Sequence, residues 1–339
     1  MKVRENPSLH GLNTFGIRAS AGLAIEIETE EDLLAVAAFN PTRDLVLGGG
    51  SNIILLDDVP GTVYLNRITG IQIVGEDGDD CLVEAGAGES WHGLVRWSLD
   101  NGLNGLENLS LIPGCAGAAP IQNIGAYGVE LDSVLDRVSC WDWQTSSWVS
   151  FDRAECGFAY RDSRFKSQEP DRYLVTSIRL RLSRRFTPRL SYSGLDQELQ
   201  RAGVETPTAR DVSDAVIRLR RSKLPDPATR GNAGSFFKNP VVDAEKAAGL
   251  RSRNSALPAW RQDDGLTKLS AGWMIEQCGL KGVSIGDAAV SRQHALVLVN
   301  RGNASGRQVA ELAQLIQSRV RDEYGIELEP EPRLVRLQG

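Results

Sequence analysis

The stretch Ile112-Pro113-Gly114-Cys115-Ala116-Gly117-Ala118-Ala119-Pro120-Ile121-Gln122-Asn123-Ile124-Gly125-Ala126-Tyr127-Gly128 constrains this chain more than any other segment. So many small residues in a row cannot fill a core. They suit a backbone wrapped closely around a flat ligand, with Gln122 and Asn123 adding side-chain donors and acceptors. A second glycine run, Gly48-Gly49-Gly50-Ser51-Asn52, follows the apolar segment Asp44-Leu45-Val46-Leu47. It is neither a G-x-G-x-x-G nor a Walker A sequence, yet consecutive small residues after a strand expose N–H groups able to cradle a pyrophosphate. A third segment, Gly231-Asn232-Ala233-Gly234-Ser235-Phe236-Phe237-Lys238-Asn239-Pro240, sets one hydroxyl between a glycine-bearing turn and an aromatic pair. Lys238 and Asn239 just beyond it offer donors to anionic or sugar oxygens. Read alone, this decapeptide equally fits a strand entrance with a satisfied turn serine.

A chain of 339 residues has room for two or three domains with substantial cores. Its formal net charge of −6 does not favour nucleic-acid binding, which usually needs a basic face. The longest apolar runs are far too short to span a bilayer, and the start, Met1-Lys2-Val3-Arg4-Glu5-Asn6-Pro7, lacks the apolar core of a secretory signal. A cytoplasmic protein with no obligate protein partner is expected. The cysteines (Cys81, Cys115, Cys140, Cys156, Cys278) form no C-x-x-C pair, and His10, His92 and His294 are well separated. No metal site is expected, and reduced thiols are the simplest account. Cys115 and most of the seven tryptophans read as packed hydrophobes, and none of the tryptophans is assigned to the site.

Elsewhere the pattern is mixed. Residues 30–40 predict a short helix, with acidic residues at its start and Leu33, Leu34, Val36 and Ala37 as its apolar face. Strand-like runs fall at 44–47, 53–56, 62–65, 71–75, 81–85, 133–143, 173–182 and 294–299. Ser90 and Thr208 read as caps of helices over 91–99 and up to Pro225. Helices are expected at 243–250 and 270–278, and the clearest over 306–323, with Val309, Leu312, Ala313, Ile316 and Val320 as one stripe. The fold class is therefore α+β.

To the three glycine-bearing segments the chain adds Asn13-Thr14-Phe15-Gly16, Tyr160-Arg161-Asp162-Ser163, Lys223-Leu224-Pro225-Asp226-Pro227 and Leu328-Glu329-Pro330-Glu331. In this order, over nearly the whole chain, they resemble the UDP-N-acetylenolpyruvoylglucosamine reductase (MurB) family of flavoenzymes. Ser191-Tyr192-Ser193-Gly194 is similar to the tyrosine loop with which one subclass closes over substrate. The resemblance implies a split FAD-binding domain of two α+β subdomains, of the PCMH/VAO-like type, plus a smaller α+β substrate-binding domain. The boundaries expected are 1–67 and 68–222 for the two FAD-binding subdomains and 223–325 for the substrate domain. A C-terminal strand over 326–339 is expected to return to the FAD-binding part.

The family reaction, part of peptidoglycan precursor synthesis, passes a hydride from NADPH to non-covalent FAD and then to C3 of an enolpyruvyl ether. Charge develops on the enolpyruvyl carboxylate and C2 is then protonated, which calls for a cation, a hydrogen-bonding acid and a proton donor. The resemblance maps these roles onto Arg161, Glu331 and Ser235. Arg161 without its motif reads as a surface ion pair, and Glu329 is the alternative to Glu331. The family pattern has a β-branched residue where this chain has Pro332, which cannot donate a ladder hydrogen bond and so places its strand at an edge or bulge. FAD is expected along Gly48, Gly49, Gly50, Ser51, Asn52, Ile112, Pro113, Gly114, Gly117, Ala118, Ile121, Gln122, Asn123, Gly125, Ala126, Tyr127 and Arg220. Substrate is expected at Tyr192, Lys223, Lys238, Asn239 and either His294 or Gln293. Two rivals stand beside this reading: a nucleotide-sugar binding protein without turnover, and an FAD oxidase of the same cofactor fold, for which Cys115 is the only thiol placed to hold a covalent flavin.

Overall fold

The apolar stripe near the C-terminus produces the longest helix, Gly306–Tyr324, in a computed structural model that describes every residue except Ser193, Asp263 and Gly339. Ser193, part of the predicted tyrosine loop, thus lies outside the described residues. Val309, Leu312, Ala313, Ile316 and Val320 are all buried. A capping box between Ser305 and Gln308 starts the helix, and Gly325 in the left-handed region ends it. The helix packs on an antiparallel sheet of order Asn232–Ser235, Val297–Asn300, Ala288–Val290 and Ser284–Ile285. A small sheet of Val241–Val242, Thr267–Leu269 and Ala259–Arg261 lies next to it in the chain.

The N-terminal sheet has the order Lys2–Glu5, Ala21–Ile27, Val59–Asn66, Leu45–Leu47; its first pair is antiparallel and the others are parallel. Its core continues into the C-terminal layer. Phe15, Leu47 and Ile54 belong to the same apolar cluster as Phe236, Phe237, Leu269 and Val309. Gly306 permits this contact: a Cβ there would lie 2.7 Å from the Leu55 carbonyl carbon. The middle of the chain builds a separate five-stranded antiparallel sheet, ordered Ser147–Asp152, Leu135–Asp142, Tyr173–Ser183, Asp80–Gly86, Ile71–Asp77. Its own core includes Val83, Trp91, Leu94, Ile178 and Leu180, with the Ser90-capped helix Trp91–Asp100 laid over it. Alternation along Tyr173–Ser183 buries Ile178, Leu180 and Leu182. Among the described residues no helix is long and apolar enough to cross a membrane.

Two local expectations fail for visible reasons. Instead of a helix over 30–40 there is one tight turn, Glu31–Leu34. The Asp32 carboxylate accepts the N–H groups of Glu28 and Thr29, closing the turn on itself, and only Leu33 is buried while Leu34 is 67% exposed. Instead of a strand over 294–299 the strand is Val297–Asn300, because Val297 N–H bonds back to His294 O and folds the preceding residues into a turn. Pro332 costs the structure nothing. Glu331 N–H donates to Phe236 O at 2.8 Å and Arg333 N–H to Asn52 O at 2.9 Å, so the proline falls between two donors. Beyond it Arg333–Val335 pairs in parallel with Ile53–Leu55.

Candidate functional site

Both glycine loops line one groove of about 670 Å³. Glycine is required in them because they pack against each other and against Leu12, Asn13 and Ala87. A Cβ on Gly49 would stand 2.8 Å from the Gly114 Cα, and one on Gly48 would run into the Cys115 sulfur. Cys115 is buried under the loop, the packed role expected of it. Asn52 joins three segments: its Nδ2 donates to Gln122 Oε1 at 2.8 Å and to Glu331 O at 3.2 Å.

The groove is walled in part by Leu45–Leu47, Asn66, Pro170, Tyr173 and Val175, and its lining also includes Arg161, Arg220, Ser235 and Glu331. Gly50, Ser51, Ile112, Pro113, Gly117, Ala118, Ile121 and Gly125 line it too. Other predicted residues lie outside its lining. Gly114 backs Gly49 and Ser51, and Ala126 is in a hairpin with Val129. Asn123 is buried, its amide donating to Glu130 Oε2 at 3.0 Å and its Oδ1 accepting from Asp132 N. Tyr127 meets the Tyr192 ring edge-on at 4.9 Å, and burial pushes its phenol up to about 12.

Ser235 ends the strand Asn232–Ser235, and the next residues pair with the C-terminal segment: Phe237 bridges Pro330, and Glu331 N–H bonds to Phe236 O. This pairing delivers Glu331 to the groove that Ser235 lines. Among the described residues the Ser235 hydroxyl has no hydrogen-bond partner, which leaves it open to a ligand. Arg161 has a left-handed backbone at φ 55°, unusual for a non-glycine residue. Its Nη2 donates to Gly125 O at 2.6 Å, its Nε lies 3.5 Å from Glu331 Oε2, and its Nη1 lies 3.8 Å from Glu130 Oε1. It is thus held inside the site rather than in a surface pair. Burial raises the Glu331 carboxyl above its ordinary range, and the charges of Arg161, Lys166 and Lys238 only partly offset this. Glu329 instead faces outward and pairs with Lys238.

Arg220 reaches in from the last turn of the helix Ala209–Lys223, its Nε donating to Leu111 O at 3.1 Å. Lys223 ends that helix and lies near His294, whose imidazole is pushed below its ordinary pKa by burial and by the charges of Lys223 and Lys281. Gln293 points elsewhere, lining a second cavity of about 990 Å³ with His10, Arg230 and Arg301, which includes Gly49 but none of Arg161, Ser235 or Glu331. Asn239 Oδ1 accepts from Ala271 N at 3.0 Å, so its carbonyl is engaged at a helix start. Sequence reasoning missed Glu130, Lys166, Lys268 and Lys281. Glu130 had a signal, since it stands two residues after Gly128 at the end of the small-residue stretch; the lysines had none, because only folding brings them to the site.

Residues 226–335 match the family model described as the UDP-N-acetylenolpyruvoylglucosamine reductase C-terminal domain, and residues 22–149 match that of an FAD binding domain. The chain is 50% identical over 339 residues to UDP-N-acetylenolpyruvoylglucosamine reductase of Chromobacterium violaceum, covering 99% of each. It is 51% identical over 337 residues to that of Pseudomonas aeruginosa, covering 98% of this chain and 99% of the relative. The crystal structure of the Thermus caldophilus reductase (MurB) superposes with a TM-score of 0.69 at 28% identity, covering 99% of this chain and all of that one. With a split FAD-binding α+β fold and relatives matched end to end, this chain belongs to the UDP-N-acetylenolpyruvoylglucosamine reductase family.

Proposed function

We propose that this chain reduces UDP-N-acetylglucosamine enolpyruvate to UDP-N-acetylmuramate with FAD and NADPH, in the cytoplasm. The observation that carries the reading is the convergence of Arg161, Glu331 and Ser235, from distant parts of the chain, on one groove lined by both glycine loops. That groove suits FAD: it is backed by glycines where side chains would collide, and of a volume typical of ligand sites. Gly48–Asn52 and Ile112–Gln122 would hold the dinucleotide, and reduced FAD would supply the hydride. The proposed division has FAD-binding parts 1–67 and 68–222, a substrate part 223–325 and a returning segment 326–339.

In this reading Arg161 binds the enolpyruvyl carboxylate and its guanidinium stabilises the charge that develops there. Glu331, kept neutral by burial, donates a hydrogen bond to the same carboxylate. Ser235 gives its hydroxyl proton to C2. Lys223 and His294, with Lys281 nearby, receive the diphosphate and sugar, and Lys238 and Asn239 add donors on the Glu331 side. Tyr192, 42% exposed against Tyr127, closes over the bound nucleotide sugar.

An anaerobic absorbance titration tests the reading. NADPH bleaches the bound flavin and the enolpyruvyl nucleotide sugar restores it; bleaching without restoration would sink the proposed substrate. Lys223→Ala is expected to raise KM for the nucleotide sugar about tenfold, the scale of one charge-assisted hydrogen bond, with kcat little changed. A pure loss of kcat would contradict phosphate binding. For Glu331 the sign follows from burial: its acid form persists above the usual carboxylate range and is lost as pH rises through the raised pKa. Flavin reoxidation by substrate should therefore slow at high pH through a limb that Glu331→Gln abolishes. Glu331→Gln should also retain more activity than Glu331→Asp, and the reverse order would assign Glu331 a carboxylate role.

A further inference from the structure

We propose that Glu130 is a positioning residue that holds the outer nitrogen of Arg161 and shares its charge with Glu331, until the ligand's carboxylate takes Glu130's place. The inference rests on the reading of Arg161 and Glu331 above and extends it to a residue that reading does not use. Three groups surround the guanidinium, and they differ in grip. Gly125 O accepts from Nη2 at 2.6 Å, and Glu331 Oε2 stands 3.5 Å from Nε. Glu130 Oε1 stands 3.8 Å from Nη1, too far for a good hydrogen bond, and its side chain is 36% exposed against 13% for Glu331. Glu130 is thus the partner that an incoming carboxylate displaces at least cost.

The fold prepares Glu130 for this. It lies opposite Gly125 in the hairpin formed by Gly125–Ala126 and Val129–Glu130, so the strand pair that supplies the carbonyl for Nη2 also supplies the carboxylate for Nη1. A Cβ on Gly125 would stand 2.8 Å from Arg161 Nη1 and from Glu130 Cγ, so the bare glycine backbone lets the pair come together there. Asn123 anchors the other carboxylate oxygen of Glu130 at 3.0 Å and is itself buried. When Nη1 is given up, Glu130 keeps that hydrogen bond and the nearby charge of Lys268, whose ammonium sits 4.3 Å above the Tyr160 ring. The charged and titratable groups around Glu331 are Arg161, Lys166, Lys238 and Tyr160; those around Glu130 are Arg161, Lys268, Asp132 and Tyr160.

Two carboxylates on one guanidinium each receive less of its charge. With Glu130 neutralised, Arg161 would favour an ionised Glu331 more strongly and would meet the ligand's carboxylate without a competitor. The test is steady-state and stopped-flow kinetics of wild-type, E130Q and E130D holoenzymes, with flavin content and melting temperature checked for each. For E130Q, KM for the enolpyruvyl nucleotide sugar is expected to fall about threefold, the scale of a partly exposed ion pair. The alkaline limb of kcat/KM, which reports the free enzyme, should move down by roughly half a pH unit. The limb of kcat should move less, because in the complex the ligand has already replaced Glu130. E130D, with its charge drawn back by one methylene, should shift both quantities in the same direction by less, and it carries the test alone if E130Q does not retain FAD. A raised KM with an unmoved limb would show a merely structural Glu130 and overturn the proposal, as would no change in either variant. A wild-type enzyme whose bleached flavin the nucleotide sugar does not restore would instead remove the functional reading itself.

Discussion

Ser235→Ala is expected to leave flavin reduction by NADPH at its wild-type rate and to slow reoxidation by the enolpyruvyl nucleotide sugar on the order of 100- to 10,000-fold, the range for loss of a positioned proton donor. The split follows from placement. Ser235 lines the groove together with Arg161 and Glu331, and its hydroxyl has no hydrogen-bond partner among the described residues to lose. The backbone bonds that hold it, between Asn232–Ser235 and Val297–Asn300, do not involve the side chain. Alanine therefore removes one oxygen and leaves the strand intact. Rapid-mixing absorbance of the two half-reactions measures this, and an equal fall in both would make Ser235 structural.

Arg161→Ala is expected to cost about 3 kcal/mol in kcat/KM for the nucleotide sugar, roughly a 100-fold loss, the scale of one or two hydrogen bonds to a charged group. The loss should appear in both KM and kcat, because the guanidinium is proposed to meet the carboxylate in the ground state and the charge that grows on it. It also removes the nearest cation from a mostly buried Glu331, whose carboxyl then stays protonated to still higher pH. The alkaline limb of reoxidation should accordingly rise in pH, opposite to the shift expected for E130Q. Stopped-flow reoxidation across pH checks both signs, and a wild-type KM would argue that Arg161 does not bind the carboxylate.

Much of the groove was legible because its physics is local. Gly48, Gly49 and Gly114 are small where the two loops pack on each other, and Gly50 and Gly117 where the loops meet Leu12 and Ala87; that demand shows in the chain as runs of small residues. The long stripe over Gly306–Tyr324 and the caps Ser90 and Thr208 were likewise visible, since caps and amphipathic periods lie within a few residues of each other. The predicted helix over 30–40 failed because its apolar residues were counted onto one face, whereas a single carboxylate, that of Asp32, closes the turn after four residues. The shared core of the N-terminal sheet and the C-terminal helical layer had no local signal; it depends on Phe15, Ile54, Phe236 and Val309 meeting across hundreds of residues.

The chain alone determined the residue types on which the chemistry depends: small residues where backbone meets backbone, one hydroxyl after a glycine turn, one arginine and one acid in recognisable segments. Only the tertiary structure decided their state. Burial beside Arg161, Lys166 and Lys238 leaves Glu331 with a raised pKa, and the hairpin at Gly125 brings Glu130 to the far side of the same guanidinium. Desolvation and charge pairing act through distance and exposure in space, which no spacing along the chain encodes.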